Sequence, residues 1–384
     1  MADNNENKVL NVPPLRFPEF SGEWKCTTIG NIGDIKNGPF GSVLHAEDYV
    51  ENGIPIVTTE HFKTGLMPSD KFGIPQVSNE DYIRLKGYRL ETNDIVFSRV
   101  GSVDINAHVG IEQNGWLFSG RVLRVRPKYD IDSLFLHYAL STEAVKRDIR
   151  NRAVGQTMPS INTPILSSTT IQLPKDLFEQ KKVAHFLRLL DERIITQNKI
   201  IEKLQSLIKG LAAQLTQSGT PNIRLCDCLE CHSSTLLENC VSVTGSYPVY
   251  GATGLIGYTN NYAYNGESIL IVKDGSGVGS LSYVNDHFSV IGTLNYLTAK
   301  ENYSILYLYY ALMAFNFTPY ITGMAIPHIY FKDYGKAKLF YPSIEKRIRI
   351  ASLLHNIEQK LVVEQNLVIS LSTQKSYLLR MLFI

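Results

Sequence analysis

A segment near the end of this 384-residue chain repeats a segment from its middle, and this repeat constrains the fold more than any other feature. From Ala184 and Ala351 onward, apolar residues recur in one constant register. The preceding sequence repeats too, because 134–140 reads like 306–312 and 155–161 reads like 323–329. A period this long excludes a solenoid and indicates a duplicated domain, which gives one polypeptide pseudo-two-fold symmetry.

The length allows two hydrophobic cores, since a domain takes about 150 residues. With 44% apolar and 19% charged residues, the composition is that of an ordinary folded protein. We predict an α+β fold, in which two pseudo-symmetric mixed α/β domains are joined by two long antiparallel coiled-coil helices. The predicted segments are a polar N-terminal tail (1–14), a first domain (15–173), a central helix (174–217), a second domain (218–341) and a C-terminal helix (342–384).

Short β-type runs broken by turn residues characterise both domains. A helical pattern appears in the first domain only locally, over 134–149. The predicted strands are 54–59, 94–99, 120–126 and 169–173 in the first domain, and 268–273, 280–284 and 294–298 in the second.

Both predicted helices carry a heptad seam, in which apolar residues alternate steps of four and three. A polar residue, Gln197 or Glu364, interrupts each seam at the same position. Such a residue can fix register and orientation at some cost in stability, or it can be a solvent-tolerant position with no specific role. The predicted interface residues are Phe186, Leu187, Leu190, Ile194, Gln197, Ile201 and Leu204, with Leu354, Ile357, Leu361, Glu364, Val368 and Leu371.

The apolar stripe is wider than a two-stranded seam requires, because Phe186, Ile200 and Leu207 flank it in one helix and Leu353 and Leu367 in the other. A face of this width suits a bundle with more helices. We therefore expect helices from another protein to complete the bundle.

Sequence motifs that resemble catalytic or phosphate-binding sites lack the flanking elements that such sites require. Gly275-Ser276-Gly277-Val278-Gly279 follows a strand, but a strand rather than a helix comes next, so a glycine-rich turn is expected instead of a phosphate cradle. No P-loop, zinc-protease helix or Gly-x-Ser-x-Gly elbow is present. The histidines His137, His185 and His355 are scattered along the chain. The absence of a catalytic motif favours a binding protein.

Cys226, Cys228, Cys231 and His232 offer the donor types of a zinc site. Their spacing is not that of a standard zinc knuckle, and the first repeat has no counterpart. Apolar neighbours favour buried thiols on a helix, so no metal is predicted.

Basic residues concentrate where nucleic-acid phosphates could be bound. Arg99 and Lys273 stand at matching positions before a Gly-Ser pair, and Arg121, Arg124 and Arg126 are expected on one face of a strand. For any single residue, a solvated charged face is an equally good reading. The full set of predicted DNA-binding residues is Arg99, Arg121, Arg124, Arg126, Arg150, Arg152, Gln156, Asn162, Lys273, His328, Lys332 and Lys336, among which Gln156, Asn162 and His328 could read base edges.

The chain resembles the specificity subunits of type I restriction-modification enzymes over nearly its whole length. Residues 14–20 with Gly22-Glu23-Trp24 resemble the family's N-terminal opening, and residues 247–254 with Gly257-Tyr258 are similar to a frequent opening of its target recognition domains. Pro174 and the helix after it resemble the start of the family's conserved region.

The resemblance implies two target recognition domains, each binding half of a split site on double-stranded DNA. It also implies that the helices set the half-site distance and recruit two modification subunits, which use S-adenosylmethionine, beside restriction subunits that use ATP and Mg. No cofactor is then expected on this chain, which would be non-catalytic alone. Departures at 345–349 and at the C-terminal end put the strength of partner docking in question.

Two other functions remain open: a self-contained DNA methyltransferase or nuclease with an unfamiliar site, and a coiled-coil scaffold without a DNA role. The polar start of the sequence carries no secretory signal, and its most apolar stretch, 306–317, is shorter than the roughly 20 residues that span a bilayer. We expect a cytoplasmic protein with no membrane partner.

Overall fold

The computed structural model describes residues 11–39, 44 and 46–384. The chain divides into two compact units, Met1–Ile195 with Ile369–Ile384, and Thr196–Val368. Each unit contains one globular α/β part and portions of both long helices. The predicted boundaries at 174 and 342 separate the long helices from the globular domains. The two compact units instead each combine a globular part with segments of both long helices.

Most of the predicted tail, residues 1–10, lies outside the described residues. In its remainder, Asn11 donates from Nδ2 to the carbonyl oxygen of Trp24 at 2.7 Å, and Pro13 is buried. Residues 11–13 therefore belong to the packed structure of the first unit.

Short strands and helices build the globular part of the first unit. Its strands are β1 (Lys25–Thr28), β2 (Gly33–Asn37), β3 (Tyr49–Val50), β4 (Ile54–Val57), β5 (Gln76–Val77), β6 (Ile95–Ser98), β7 (Asn106–His108), β8 (Leu117–Phe118), β9 (Val122–Pro127) and β10 (Thr170–Leu173). Its helices are α1 (Ile29–Ile32), α2 (Asn79–Arg84), α3 (Ser133–Leu140), α4 (Glu143–Arg152) and α5 (Thr163–Ser167).

The first long helix, α6 (Leu177–Thr216), continues into the second unit, where longer strands follow. The remaining strands are β11 (Ile223–Arg224), β12 (Leu229–Ser233), β13 (Tyr247–Gly251), β14 (Gly254–Thr259), β15 (Tyr264–Val272), β16 (Leu281–Val290), β17 (Leu294–Ala299) and β18 (Lys338–Leu339). The remaining helices are α7 (Leu225–Cys228), α8 (Ile305–Met313), α9 (Phe331–Tyr334) and α10 (Ile344–Met381).

The predicted strands and long helices are found, with differences of a few residues at their ends. The helical pattern predicted over 134–149 is confirmed, and it forms two helices, α3 and α4. Asp132 caps α3 by accepting a hydrogen bond from the Phe135 amide at 2.8 Å, and the chain breaks at Ser141 before α4 starts after Thr142. The serine and threonine between the helices are typical of such a break, because their side chains compete for backbone hydrogen bonds.

The duplication extends to the sheet register. The first unit has a four-stranded sheet in the order β2-β9-β6-β7, and the second has β12-β17-β15-β16 within a six-stranded sheet. Ile95 pairs with Val125 in the first sheet as Ile269 pairs with Leu297 in the second. The first unit adds a separate sheet, β3-β5-β4-β8, whereas the second extends its sheet with β13 and β14. The two domains are thus one framework with different additions.

Within the first unit, the start of α6 runs antiparallel to the end of α10. Trp24 donates from Nε1 to Glu179 at 3.1 Å and packs against Phe383, while farther along α6 Asp191 pairs with Lys375 at 2.5 Å. Val183, Leu187, Leu378 and Leu382 lie in the same hydrophobic core. The last turns of α10 therefore complete the core of the first unit.

The second unit shows the same antiparallel arrangement. Ala212 shares a core with Ile350 and Leu354, and Gln197 donates from Nε2 to the Glu364 carboxylate. Lys360 also pairs with Glu364, at 2.5 Å. The predicted antiparallel helices are confirmed, and the two polar seam residues contact each other. Whether this contact sets register stays a prediction.

Candidate nucleic-acid interface

A five-residue loop docked on a glycine turn occurs once in each unit. In the first unit, the backbone of Val154 and Ser160 closes a hairpin (residues 154–160, the first hairpin) through bonds of 2.9 and 2.8 Å. The hairpin docks on residues 99–102 (the first turn), because Gly101 N donates to Pro159 O at 2.8 Å and Ile161 N donates to Arg99 O at 2.9 Å.

The second unit repeats this combination of hairpin and turn, with the same backbone hydrogen bonds. Thr322 and His328 close residues 322–328 (the second hairpin) at 2.9 and 2.8 Å. Gly275 N donates to Pro327 O at 2.9 Å, and Ile329 N donates to Lys273 O at 2.9 Å, so residues 273–276 form the second turn. The expected glycine-rich turn between two strands is confirmed, because β16 begins at Leu281.

Each hairpin depends on a glycine with positive φ. Gly155 has φ of 101° and Gly323 has φ of 90°. A Cβ would lie 2.8 Å from the Met158 carbonyl oxygen in the first case and 2.3 Å from that of Ile326 in the second. Only glycine fits both the conformation and the space. Both hairpins therefore require glycine at this position, while the side chains at their tips are free to differ.

Basic residues lie at the base of each hairpin. In the first unit, Arg99 donates to Gly120 O at 3.1 Å, and its backbone amide bonds Arg121 O, so both arginines stand at the turn. Arg121 is exposed and lines a groove of about 470 Å³ with Val100 and Thr58. In the second unit, Lys273 occupies the matching position, partly exposed. The predicted matching of Arg99 and Lys273 is therefore a structural equivalence as well.

The expected single face for Arg121, Arg124 and Arg126 is wrong. Arg121 precedes β9, and Arg124 is buried and paired with Asp34. Burial lowers the pKa of Arg124, whereas a hydrogen bond to Asp94 raises the pKa of Arg126. Because both guanidinium groups hold carboxylates of their own domain, their side chains stabilise the first sheet.

Arg150 and Arg152 also bind groups of their own domain. Arg150 pairs with Asp104 at 2.5 Å and with Glu143, while Arg152 pairs with Asp148 and donates to the Ile165 carbonyl oxygen at 3.1 Å. Nearby, Asn162 is exposed, but its Oδ1 caps α5 by accepting from Ile165 N at 3.0 Å. These contacts anchor α4 and α5 behind the first hairpin.

In the second unit, a row of side chains in contact leads away from the second hairpin. His328 Nδ1 lies 3.1 Å from the Ile326 carbonyl oxygen, and its ring packs edge-on against Tyr330 at 5.0 Å between centroids. The Lys332 ammonium lies 5.1 Å from the Tyr330 ring centroid. Lys336 is exposed just beyond α9. His328 and Lys332 are thus connected to the hairpin base through Tyr330. The role of His328, Lys332 and Lys336 in DNA binding stays a prediction.

Sequence reasoning missed the apolar tips of the hairpins. Met324 is fully exposed, and Ile326 and Met158 are about two-thirds exposed. It also missed a tyrosine that ties each domain to a long helix: Tyr138 donates to Asp191 at 2.8 Å, and Tyr310 donates to Glu358 at 2.7 Å. The repeat itself carried this second signal, since both tyrosines lie in the matching segments 134–140 and 306–312.

The predicted seam residues are buried to different degrees. Leu187 and Leu354 are fully buried, Gln197 and Glu364 are buried, and Phe186 remains 40% exposed although its ring packs edge-on against Phe17. The other predicted seam residues are partly buried, namely Leu190, Ile194, Ile201, Leu204, Ile357, Leu361, Val368 and Leu371.

The cysteine cluster is only in part helical. Cys226 and Cys228 lie on α7, but Cys231 and His232 lie on β12, so the prediction of thiols on one helix is wrong for Cys231. Burial raises the pKa of Cys228 to about 12 and that of Cys231 to about 11, which keeps both thiols protonated. Among the residues that the structure describes, no group of three His, Cys, Asp or Glu could hold a metal ion.

In the described part of the chain, none of the helices combines the length and the apolar character that crossing a membrane requires.

Comparison with known proteins identifies relatives of both repeats. Residues 21–206 and 223–371 match the model of the type I restriction modification DNA specificity domain. The type I restriction enzyme MjaVIII specificity subunit from Methanocaldococcus jannaschii is 29% identical over 206 residues, which are 53% of this chain and 44% of that protein. The putative MjaX specificity subunit from the same organism is 33% identical over 221 residues, or 55% of this chain and 50% of that protein. These matches span about half of each relative.

Two solved structures share the fold over nearly the whole chain. The S subunit of a type I restriction-modification system from M. genitalium has a TM-score of 0.67 at 18% identity, covering 97% of this chain and 99% of that one. A chain from a study of complex assembly and conformational transition in a type I system has a TM-score of 0.52 at 16% identity, covering 95% and 98%.

Proposed function

Because the chain belongs to the family of type I restriction modification DNA specificity domains, we propose that it recognises an asymmetric, bipartite site on double-stranded DNA for a type I restriction-modification complex. One observation carries the proposal: the same hairpin, docked on the same glycine turn, occurs in both units with different side chains at its tip. A shared backbone with different tips is what two readers of unlike half-sites require.

The charge around the hairpins supports a DNA ligand. Arg99 and Arg121 flank the first hairpin, and Lys273 with Lys332 flanks the second. Basic side chains of this kind bind phosphates and fix the register of a protein on the duplex, while groups at the tip reach base edges. In the first hairpin, Gln156 is exposed and can bond adenine in a bidentate manner.

The long helices are proposed to recruit two modification subunits, beside which the restriction subunits act. Large apolar side chains remain exposed along both helices, including Leu207 on α6 and Val363 on α10. Several exposed large apolar side chains are unusual on a helix that faces only water. Helices of a partner would bury them and complete a bundle.

Methyl transfer and cleavage are proposed to belong to those partners, which would bind S-adenosylmethionine, ATP and Mg. The competing proposal is a self-contained methyltransferase or nuclease. Incubation of the purified chain with DNA and a labelled methyl donor separates the two, because label on the DNA without partner subunits would favour the enzyme.

Sequencing of methylated adenines in cells with and without this chain tests the proposal. The expected result is one split motif whose methylation disappears with the chain and returns on complementation. Replacement of residues 20–170 by the corresponding domain of another family member should then change one half-site only. An unchanged methylation pattern, or a change in both halves after the swap, contradicts the proposal. A scaffold without a DNA role predicts no salt-dependent binding of any specific duplex.

Partner docking has its own test. Leu207→Glu should weaken assembly with the modification subunits, measured by sedimentation of the mixed components, whereas Lys209→Glu on the same exposed helix should change assembly little. Equal effects of the two variants would indicate that charge, and not the apolar face, governs the contact.

A further inference from the structure

The two hairpin tips differ in what they can recognise. The first tip carries Gln156 and Thr157 before Met158, so it offers hydrogen-bonding side chains. The second tip is Met324, Ala325 and Ile326, which has no side-chain N–H or O–H group at all. Nevertheless Met324 is fully exposed and Ile326 is 65% exposed. Apolar side chains held outward on a fixed hairpin indicate a ligand surface.

The surroundings of the second tip favour DNA as this ligand. The row of His328, Tyr330 and Lys332 runs from the hairpin base, and Lys273 lies at the turn beneath it, beside Asp274. An ammonium group near an apolar tip suits a duplex, whose phosphates lie next to the edges of its bases. A protruding loop of this kind also fits the major groove of B-DNA, which is about 12 Å wide, better than the minor groove of about 6 Å.

In the major groove, the apolar group that distinguishes base pairs is the C5 methyl of thymine. Side chains that lack hydrogen-bonding groups can discriminate base pairs there by contact with such a methyl group. We infer that the second hairpin reads thymine methyl groups in its half-site with Met324 and Ile326, whereas the first hairpin reads hydrogen-bonding edges with Gln156. This inference rests on the proposed function and assigns a base chemistry to each half.

The test uses the chain in complex with its modification subunits and two randomised duplex libraries, one made with thymine and one with uracil. Uracil pairs identically but lacks the C5 methyl group. The expected result is that the half-site read by the second domain loses information at one or more thymine positions in the uracil library, while the other half-site is unchanged. On defined duplexes, each contacted thymine replaced by uracil should weaken binding about fourfold. Replacement by 5-bromouracil, which restores bulk at C5, should recover the affinity.

Variants assign the effect to the tip. In the double variant Met324→Gln, Ile326→Gln, the difference between thymine and uracil duplexes should shrink toward none, although the hairpin backbone is unchanged. Val243→Gln is the matched control, because Val243 is a 91% exposed apolar residue of the same domain outside the hairpin, and it should keep the full difference. Gln156→Leu should alter the other half-site only.

Three results would overturn the inference. The same motif with equal affinity in both libraries would show that no methyl group is read. A uracil effect that the double variant Met324→Gln, Ile326→Gln leaves intact would place the methyl contact outside the tip. Strong bending of the duplex, lost with Met324→Gln and insensitive to uracil, would show an apolar wedge between base steps instead. If neither library yields an enriched site, the proposed function itself fails.

Discussion

The two units hold the same helix position in different ways. In the first, the carboxylate of Asp191 accepts a hydrogen bond from Tyr138 and pairs with Lys375. In the second, the matching carboxylate of Glu358 accepts from Tyr309 at 2.8 Å and Tyr310 at 2.7 Å. The duplication conserved a tyrosine-to-helix bond, whereas the second partner changed from a cation to a phenol. The carboxylate at this helix position is thus stabilised by a tyrosine and a lysine in one unit and by two tyrosines in the other. The effect of this difference on stability can be tested.

The largest effect should come from the matched core leucines. Leu187 and Leu354 occupy equivalent seam positions and are fully buried. Replacement of either by alanine should lower the free energy of unfolding by about 2–5 kcal/mol, because a cavity remains. Hydrogen exchange resolved by peptide would show protection falling first in the unit that carries the substitution. Leu189→Ala, at a half-exposed site, should change stability by less than about 0.5 kcal/mol. Equal loss of protection in both units would mean that they unfold together.

Acid should destabilise the first unit through a residue that the second lacks. Burial lowers the pKa of His137 to about 3, and its Nδ1 lies 2.7 Å from Asn106 Oδ1; the matching residue is Tyr309. Below a pH of about 6.5, His137 is protonated in the unfolded chain, whereas in the folded unit it stays neutral down to about pH 3. The free energy of unfolding therefore falls as the pH is lowered from about 6.5 to about 3. Hydrogen exchange in the first unit at pH 7 and pH 5 measures the fall.

His137→Gln removes the titrating group and should flatten this pH dependence in the first unit. The second unit is the internal control and should respond to pH equally in both proteins. An unchanged slope in the variant would assign acid sensitivity to other groups.

A smaller loss of stability is expected from removing Lys375, the cation that pairs with Asp191 in the first unit. Lys375→Met leaves the Asp191 carboxylate, 14% exposed, without its positive partner. The free energy of unfolding should fall by about 1–2 kcal/mol, less than for a fully buried pair because water still reaches both groups. The double variant Lys375→Met with Asp191→Asn should recover most of the loss, since no unpaired charge remains. If the single change has no effect, Tyr138 alone suffices and the two attachments are energetically alike.

The smallest effects concern DNA binding, where the two units should behave alike. Arg99→Ala and Lys273→Ala should each lower the slope of log affinity against log salt by about one, as expected for one lost phosphate contact. Titration of the recognised duplex at several salt concentrations gives the slopes. Lys71→Ala, at an exposed lysine of the first domain, should leave the slope unchanged. A slope altered in one unit only would break the equivalence of the two turns.

Much of this fold follows from periodicity. The seam from Val183 to Leu215 and its copy from Ile350 to Leu382 predicted two long helices, and the duplication predicted their antiparallel pairing. The likeness of 155–161 to 323–329 predicted two matching segments but not their hairpin form. The repeated glycines at 155 and 323 are explained by the structure, because both have positive φ.

The partners of charged side chains could not be predicted in the same way. Arg124 and Arg126 look like a phosphate patch in the sequence, but Asp34 on β2 and Asp94, the residue before β6, pair with them. Those pairs join residues far apart along the chain, so only strand order decides whether a cation faces solvent or a carboxylate. The exposed Met324 was missed for the opposite reason, since an apolar residue in sequence reads as core.

The packing of residues 369–384 into the first core has a consequence for biosynthesis. The ribosome must translate all of residues 196–368 before Leu378, Leu382 and Phe383 can reach Trp24. Until then the nascent first unit exposes an unfinished apolar surface, which invites chaperones and proteases. We therefore expect a transcript truncated within the second half to give an unstable first unit. Only translation through residue 383 supplies the side chains that complete its core.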